Sequence, residues 1–94
     1  AEYALEQNYP NPFNPSTKIK FAIPESGDVN ITFYNTVGEE VKNVNLINKN
    51  AGELDYSFNA LSLSSGVYFY KISLNSSVSG MNYLSDVGKM ILLK

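Results

Sequence analysis

Residues 8–17 read Asn-Tyr-Pro-Asn-Pro-Phe-Asn-Pro-Ser-Thr and hold three of the four prolines of the 94-residue chain. Each proline fixes its own φ and removes a backbone N–H donor. Each also pushes the residue before it toward extended or turn geometry. Because neither a helix nor a central strand can run through such a segment, we predict a stiff, ordered strap. Its two aromatic side chains, Tyr9 and Phe13, are the expected anchors to a core.

The chain after the strap alternates between apolar and polar residues, which is typical of half-buried strands. A turn at 24–27 predicts a hairpin between its flanking strands, and a bulge is expected near 42–43. The strand at 67–74 is the most apolar and is therefore predicted to be central. Residues 59–66 are expected to cross over with one helical turn, their leucines closing one end of the core. The predicted strands are 5–8, 17–23, 28–35, 39–46, 54–58, 67–74 and one or two within 81–94, with Gly88 at a break or bulge.

About seven short strands separated by turns predict an all-β fold. We expect an immunoglobulin-like β-sandwich of two antiparallel sheets, because packed sheets let alternating strands each bury one face. A chain of this length can bury one core without metals or disulfides.

The composition excludes several classes of function. The chain has no Cys, no His and no Arg, and its net charge is −2. Disulfides, thiol chemistry, Ser-His-Asp catalysis and Cys- or His-based metal sites are therefore impossible. Scattered lysines do not form the basic patch that nucleic-acid binding requires, and the dispersed carboxylates indicate neither a glycosidase pair nor a calcium loop. We expect no enzymatic activity, no cofactor, no metal and no transmembrane segment.

Tyrosine is the one suggestive excess, with seven residues. Tyr34, Tyr56 and Tyr83 could stack on a sugar if they shared a surface, although tyrosine is also an ordinary strand residue. Tyr68, just after Gly66, is expected to cap a corner through its hydroxyl, as in other sandwich folds.

Several segments in order resemble the type A C-terminal sorting domain of the type IX (Por) secretion system of Bacteroidetes. The resemblance continues from the strap through 16–21, 29–34, 37–41 and 63–72 to 89–94. The residues that carry the family signature, in an expected structural role, are Asn8, Tyr9, Pro10, Asn11, Pro12, Phe13, Asn14, Pro15, Gly38, Gly66, Val67 and Tyr68.

The resemblance implies a non-catalytic secretion signal at the C-terminal end of a larger cargo protein. Residues 5–94 would form the domain, and residues 1–4 would be the remnant of a linker. The precursor would pass through the periplasm, be recognised by the outer-membrane translocon and be processed by a cell-surface sortase. Its expected destination is the cell surface or the extracellular space.

The end of the chain is the expected recognition site for the translocon. An apolar strand at a sheet edge could pair its backbone with a receptor strand. Two alternatives stay open: an accessory module that binds carbohydrate or protein, and a structural immunoglobulin-like domain similar to those of flagellar hook-capping proteins. The candidate recognition residues are Lys89, Met90, Ile91, Leu92, Leu93 and Lys94.

Overall fold

The computed structural model describes residues 4–5, 8–85 and 87–94. Within them the chain is all-β, with a three-stranded and a five-stranded antiparallel sheet, which confirms the predicted sandwich. The strands are β1 (Ala4–Leu5), β2 (Ser16–Ile23), β3 (Gly27–Tyr34), β4 (Glu40–Lys49), β5 (Gly52–Asn59), β6 (Gly66–Ser76), β7 (Asn82–Leu84) and β8 (Gly88–Leu92).

Two sequence-based expectations fall partly on residues that lie outside the described part of the chain. These are the linker remnant at 1–4, of which only residue 4 is described, and the middle of the predicted strand at 5–8. The helical turn expected in 59–66 was wrong, because this described segment forms only a turn, closed by the bond from the Leu63 N–H to the Ala60 carbonyl oxygen (3.0 Å).

The predicted hairpin between β2 and β3 was also wrong. β2 pairs with β1 and β5, whereas β3 pairs with β4 and β6. The two strands lie in different sheets, and their apolar faces meet in the common core. A turn between two strands that each bury one face can connect neighbours within a sheet or cross from one sheet to the other. The alternation of apolar and polar residues is the same in both cases.

The prediction of a central strand is confirmed by β6, which pairs with β3 along one edge and with β7 and β8 along the other. Its inward side chains, Tyr68, Tyr70, Ile72 and Leu74, are buried. The bulge in β4 lies one residue before the predicted place, because the register against β3 shifts across Val41.

The centre of the core is aromatic. Phe33 of one sheet stacks on Phe58 of the other, with 4.2 Å between ring centroids. Phe13 of the strap meets Phe58 edge-on at 6.2 Å. Burying one such side chain contributes about 1.5–3 kcal/mol, so the strap is part of the folded core.

Candidate functional site

The strap joins the two sheets at one end of the sandwich. At Tyr9 it pairs with Lys18 of β2 through two backbone hydrogen bonds of 2.9 Å. At Phe13 it pairs in parallel with Leu92 of β8. The same segment therefore contacts an edge of the three-stranded sheet and an edge of the five-stranded sheet.

Only one of the two predicted aromatic anchors is correct. Phe13 is 2% exposed, but Tyr9 is 81% exposed. Tyr9 lies opposite the exposed Lys18, and paired residues in a strand ladder point their side chains to the same face. The ladder therefore turns the Tyr9 ring toward solvent.

Asn8 is the second anchor of the strap. A prediction based on apolar side chains does not find it, because its side chain is polar. Its side chain is buried, and its Nδ2 donates to Thr17 Oγ1 (3.0 Å) and to the Pro10 carbonyl oxygen (3.3 Å). The Thr17 hydroxyl donates to the same Pro10 carbonyl oxygen at 2.8 Å. Because buried polar groups must be hydrogen-bonded, this small network specifies one path for the strap.

The outer edge of β8 is closed by the strap, so the open edge that backbone pairing with a receptor strand requires is not present in this structure. The Ile91 N–H donates to Asn11 Oδ1 (2.9 Å), and the Ile91 carbonyl oxygen accepts from the Phe13 N–H (2.9 Å). The Leu93 N–H donates to the Phe13 carbonyl oxygen (3.0 Å). A receptor strand could pair here only after displacing the strap.

Asn11 serves β8 much as a backbone peptide group would. Its Oδ1 accepts from Ile91, and its Nδ2 donates over 3.4 Å to the Lys89 carbonyl oxygen. A side-chain amide offers the acceptor and donors that this edge requires. Neither proline beside Asn11 can donate a backbone bond, so the side chain supplies the contact.

The six candidate recognition residues divide between core and surface. Met90 and Leu92 are buried and Ile91 is half-buried, whereas Lys89, Leu93 and Lys94 are exposed. The end of the chain is fastened to the loop before β6: the Lys94 N–H donates to Ser65 Oγ (3.0 Å), and Lys94 Nζ donates to the Leu61 carbonyl oxygen (2.7 Å). Leu61, expected to close the core, is itself 68% exposed, while Leu63 packs against the core.

Tyr70 connects the strap, β6 and β8. Its side chain is fully buried and lies over Gly88, where an added Cβ would overlap the ring. Its hydroxyl is hydrogen-bonded to the backbone of Asn8, and burial raises the pKa of Tyr70. Gly88 follows a break in the strand pattern as predicted, and its lack of a side chain also makes room for Tyr70.

The remaining signature residues have structural positions. The Tyr68 hydroxyl donates to the Ser64 carbonyl oxygen (2.6 Å), which confirms the predicted corner, and Gly66 and Val67 begin β6. Gly38 has φ +86°, a conformation that favours glycine. It lies in a turn that Asn35 closes by accepting the Glu39 N–H on Oδ1 at 2.9 Å.

The three tyrosines considered for sugar binding do not converge. Tyr34 lines a groove of about 330 Å³ with Phe69 and Lys71. Tyr83 lies near the other end of the five-stranded sheet, where its hydroxyl donates to Glu25 at 3.2 Å. Tyr56 belongs to the other sheet and packs toward the core. The shared platform required by that interpretation is not formed.

Charged groups give little sign of catalytic chemistry in the described part of the chain. Glu25 accepts a hydrogen bond of 2.6 Å from Ser79 Oγ. This bond is the largest cause that lowers the pKa of the Glu25 carboxyl, and hydrogen bonds from Ser76 and Tyr83 lower it further. Among residues 4–5, 8–85 and 87–94 there is no group of three or more potential metal ligands of the Asp, Glu, His or Cys type. The same residues contain no helix with the length and apolarity needed to cross a membrane.

Comparison with solved structures shows where this fold recurs. Latent PorU from Porphyromonas gingivalis, crystallised as a dimer, matches 97% of this chain at 18% identity with a TM-score of 0.76; the chain spans only 9% of that protein. FlgD from Xanthomonas campestris, whose structure is described as giving insight into the hook capping essential for flagellar assembly, matches 95% of the chain at 16% identity with a TM-score of 0.69, over 66% of FlgD. These likenesses show the fold alone.

Comparison by sequence identifies the family. No curated protein matches the chain significantly. A family model described as the secretion system C-terminal sorting domain matches residues 7–82. This match includes the whole strap, β2 to β6 and the start of β7. The chain therefore belongs to the secretion system C-terminal sorting domain family, the sorting signals of the type IX (Por) secretion system.

Proposed function

We propose that this domain directs a larger cargo protein across the outer membrane through the type IX translocon. In this proposal the precursor passes through the periplasm, and a cell-surface sortase then removes or processes the domain. Membership of the sorting-domain family is the observation that carries the proposal; it implies an N-terminal cargo and export to the cell surface or extracellular space. Domains of this family are generally non-catalytic, and we propose the same for this one, with residues 5–94 as the signal and 1–4 as linker.

The proposed contact with the translocon uses side chains at the strap end of the sandwich. Backbone pairing along β8 is blocked by Asn11 and Phe13. Lys89, Leu93 and Lys94 remain exposed on the terminal segment. An exposed apolar side chain on a segment that also carries two exposed lysines suits a receptor surface with an apolar recess and acidic neighbours.

The test must separate recognition from folding. Deleting residues 89–94 would remove the buried Met90 and Leu92 and destabilise the core, as large core truncations do. A better variant combines Leu93→Ser with Lys94→Ser in a reporter fusion expressed in a type IX-competent host. Val78→Ser is the matched control, because Val78 is 71% exposed in the turn between β6 and β7, at the other end of β6.

We expect the double variant to keep the reporter in the periplasm while the control is secreted normally. Far-UV circular dichroism and urea unfolding of the purified domains establish that both variants fold. Secretion of a folded double variant at the wild-type level would refute the recognition surface. Failure of the unmodified fusion to be exported would instead refute the sorting function and favour a binding or structural module.

A further inference from the structure

One long sheet edge of the domain is left open. β5 forms the edge of the three-stranded sheet, and among residues 4–5, 8–85 and 87–94 its only strand partner is β2. The register between Ser16–Ile23 and Gly52–Asn59 is unbroken over eight residue pairs. β5 is therefore a regular strand with one complete ladder and one unused edge.

The register identifies which backbone groups face outward. The Ala60 N–H donates to the Pro15 carbonyl oxygen at 2.9 Å, just beyond the β2–β5 ladder. Hydrogen-bonded and non-hydrogen-bonded pairs alternate in an antiparallel ladder. The N–H and C=O groups of Glu53, Asp55 and Ser57 consequently point away from β2. All three residues are exposed, and their outward backbone groups have no partner within the described part of the chain.

The edge strand β4 of the five-stranded sheet carries features that discourage pairing. β4 has two register shifts, and Asn48 near its end has φ +54°. Lys42 of β4 is exposed but lies opposite the core residue Phe33, with its Nζ 5.3 Å from the centre of the Phe58 ring. Bulges and lysines on an edge strand are established ways of blocking edge-to-edge association. β5 has no bulge, no lysine and no proline.

The charge on β5 indicates which partner fits. Glu53 and Asp55 lie on its solvent face. Antiparallel pairing with β5 of a second copy would bring these carboxylates together, which is unfavourable. A strand carrying Lys or Arg at alternate positions would instead place cations beside them. Its other side chains would cover Leu54 and Tyr56, which are only half-buried.

We propose that β5 accepts an extended polypeptide segment with alternating apolar and basic residues, by strand addition to its open edge. Main-chain hydrogen bonds to the residues of β5 would hold the segment, and side-chain alternation would select it. This inference does not depend on the proposed role in export, because it concerns the folded domain alone.

The chain itself supplies a probe with the required pattern. A blocked synthetic peptide with the sequence of Ser16–Ile23, STKIKFAI, alternates Lys18 and Lys20 with Ile19, Phe21 and Ile23, and β2 already pairs with β5 in this way on the inner edge. NMR titration of the labelled domain with this peptide should shift the β5 amides. The amides of Glu53, Asp55 and Ser57 should also gain protection from hydrogen exchange.

Two substitutions separate backbone pairing from charge. Asp55→Pro removes one outward N–H, and an edge strand tolerates proline at such a position. Loss of one hydrogen bond should weaken peptide binding about tenfold. Asp55→Asn keeps the N–H and removes the charge, so binding should weaken less and become less sensitive to salt.

Three results of the peptide titration would overturn the inference. These are the absence of shifts at the solubility limit of the peptide, shifts confined to β4 or the strap, and equal binding by Asp55→Pro. Concentration-dependent protection of the same amides without peptide would show that a second copy is the occupant and would also overturn it. If Asp55→Pro does not fold, a peptide N-methylated at alternate residues tests the same bonds, and its undiminished binding to the unmodified domain would refute strand addition.

Discussion

Replacement of Asn11 by Ala tests whether the strap holds the terminal strand. The change removes the acceptor of the Ile91 N–H at 2.9 Å and the longer bond to the Lys89 carbonyl oxygen at 3.4 Å. An N–H left unpaired in a partly buried place costs about 1–3 kcal/mol, and the longer bond adds little. We therefore expect the free energy of unfolding to fall by about 2 kcal/mol, a large part of the 5–15 kcal/mol typical of a domain.

Asn14→Ala is the matched control. Asn14 also precedes a proline in the strap, but it is exposed and no hydrogen bond of its side chain is seen in the described structure. An exposed substitution of this kind should change the free energy of unfolding by no more than about 0.5 kcal/mol.

Urea unfolding followed by circular dichroism measures both variants. For a domain of this size with an m-value of about 1 kcal/mol per M, the Asn11→Ala midpoint should fall by about 2 M while the slope stays constant. Hydrogen exchange of the Ile91 amide should accelerate in the same variant. Equal midpoints for Asn11→Ala and Asn14→Ala, or an unchanged Ile91 exchange rate, would refute the assignment of Asn11 as the group that closes β8.

Other contacts of the strap give further predictions. Phe13→Ala should lower the free energy of unfolding by about 3–5 kcal/mol, whereas Tyr9→Ala should change it by less than about 0.5 kcal/mol; similar values by urea unfolding would contradict the assignment of the two rings. Gly88→Ala should cost about 1–3 kcal/mol as an overpacked core, and an undisturbed Tyr70 ring in its NMR spectrum would argue against the overlap. Burial raises the pKa of Tyr70 in the folded protein above its unfolded value near 10. The protonated Tyr70 hydroxyl therefore contributes fully to the free energy of unfolding below pH 10, and this contribution is lost as the pH rises through the folded pKa. Tyr70→Phe should therefore flatten the loss of stability measured above pH 10, and an unchanged slope would show that Tyr70 does not cause it.

The sequence predicts the structure well wherever the burial of one strand face determines it. Alternation along β2 and β3 predicts which residues are inside, because the side-chain period of a strand is two. The apolar start of β6 predicts a central strand, and Gly66 and Tyr68 predict the corner. The order and spacing of the motifs also indicate the family to which the chain belongs.

The class of fold, the buried strand faces and the family follow from the amino-acid sequence, because they depend on local periodicity and on the order of the motifs. The pairing partner of each strand is set by the folded molecule. The fold sends the turn after β2 across to the other sheet, directs Tyr9 to solvent opposite Lys18, and buries Asn8 in a hydrogen-bond network. It also places Asn11 and Phe13 on the edge of β8 and leaves β5 open. These partners are distant along the chain, and their hydrogen bonds depend on where the folded backbone brings them together. Because hydrogen bonding leaves no trace in the hydrophobic pattern, the partners cannot be assigned from local sequence.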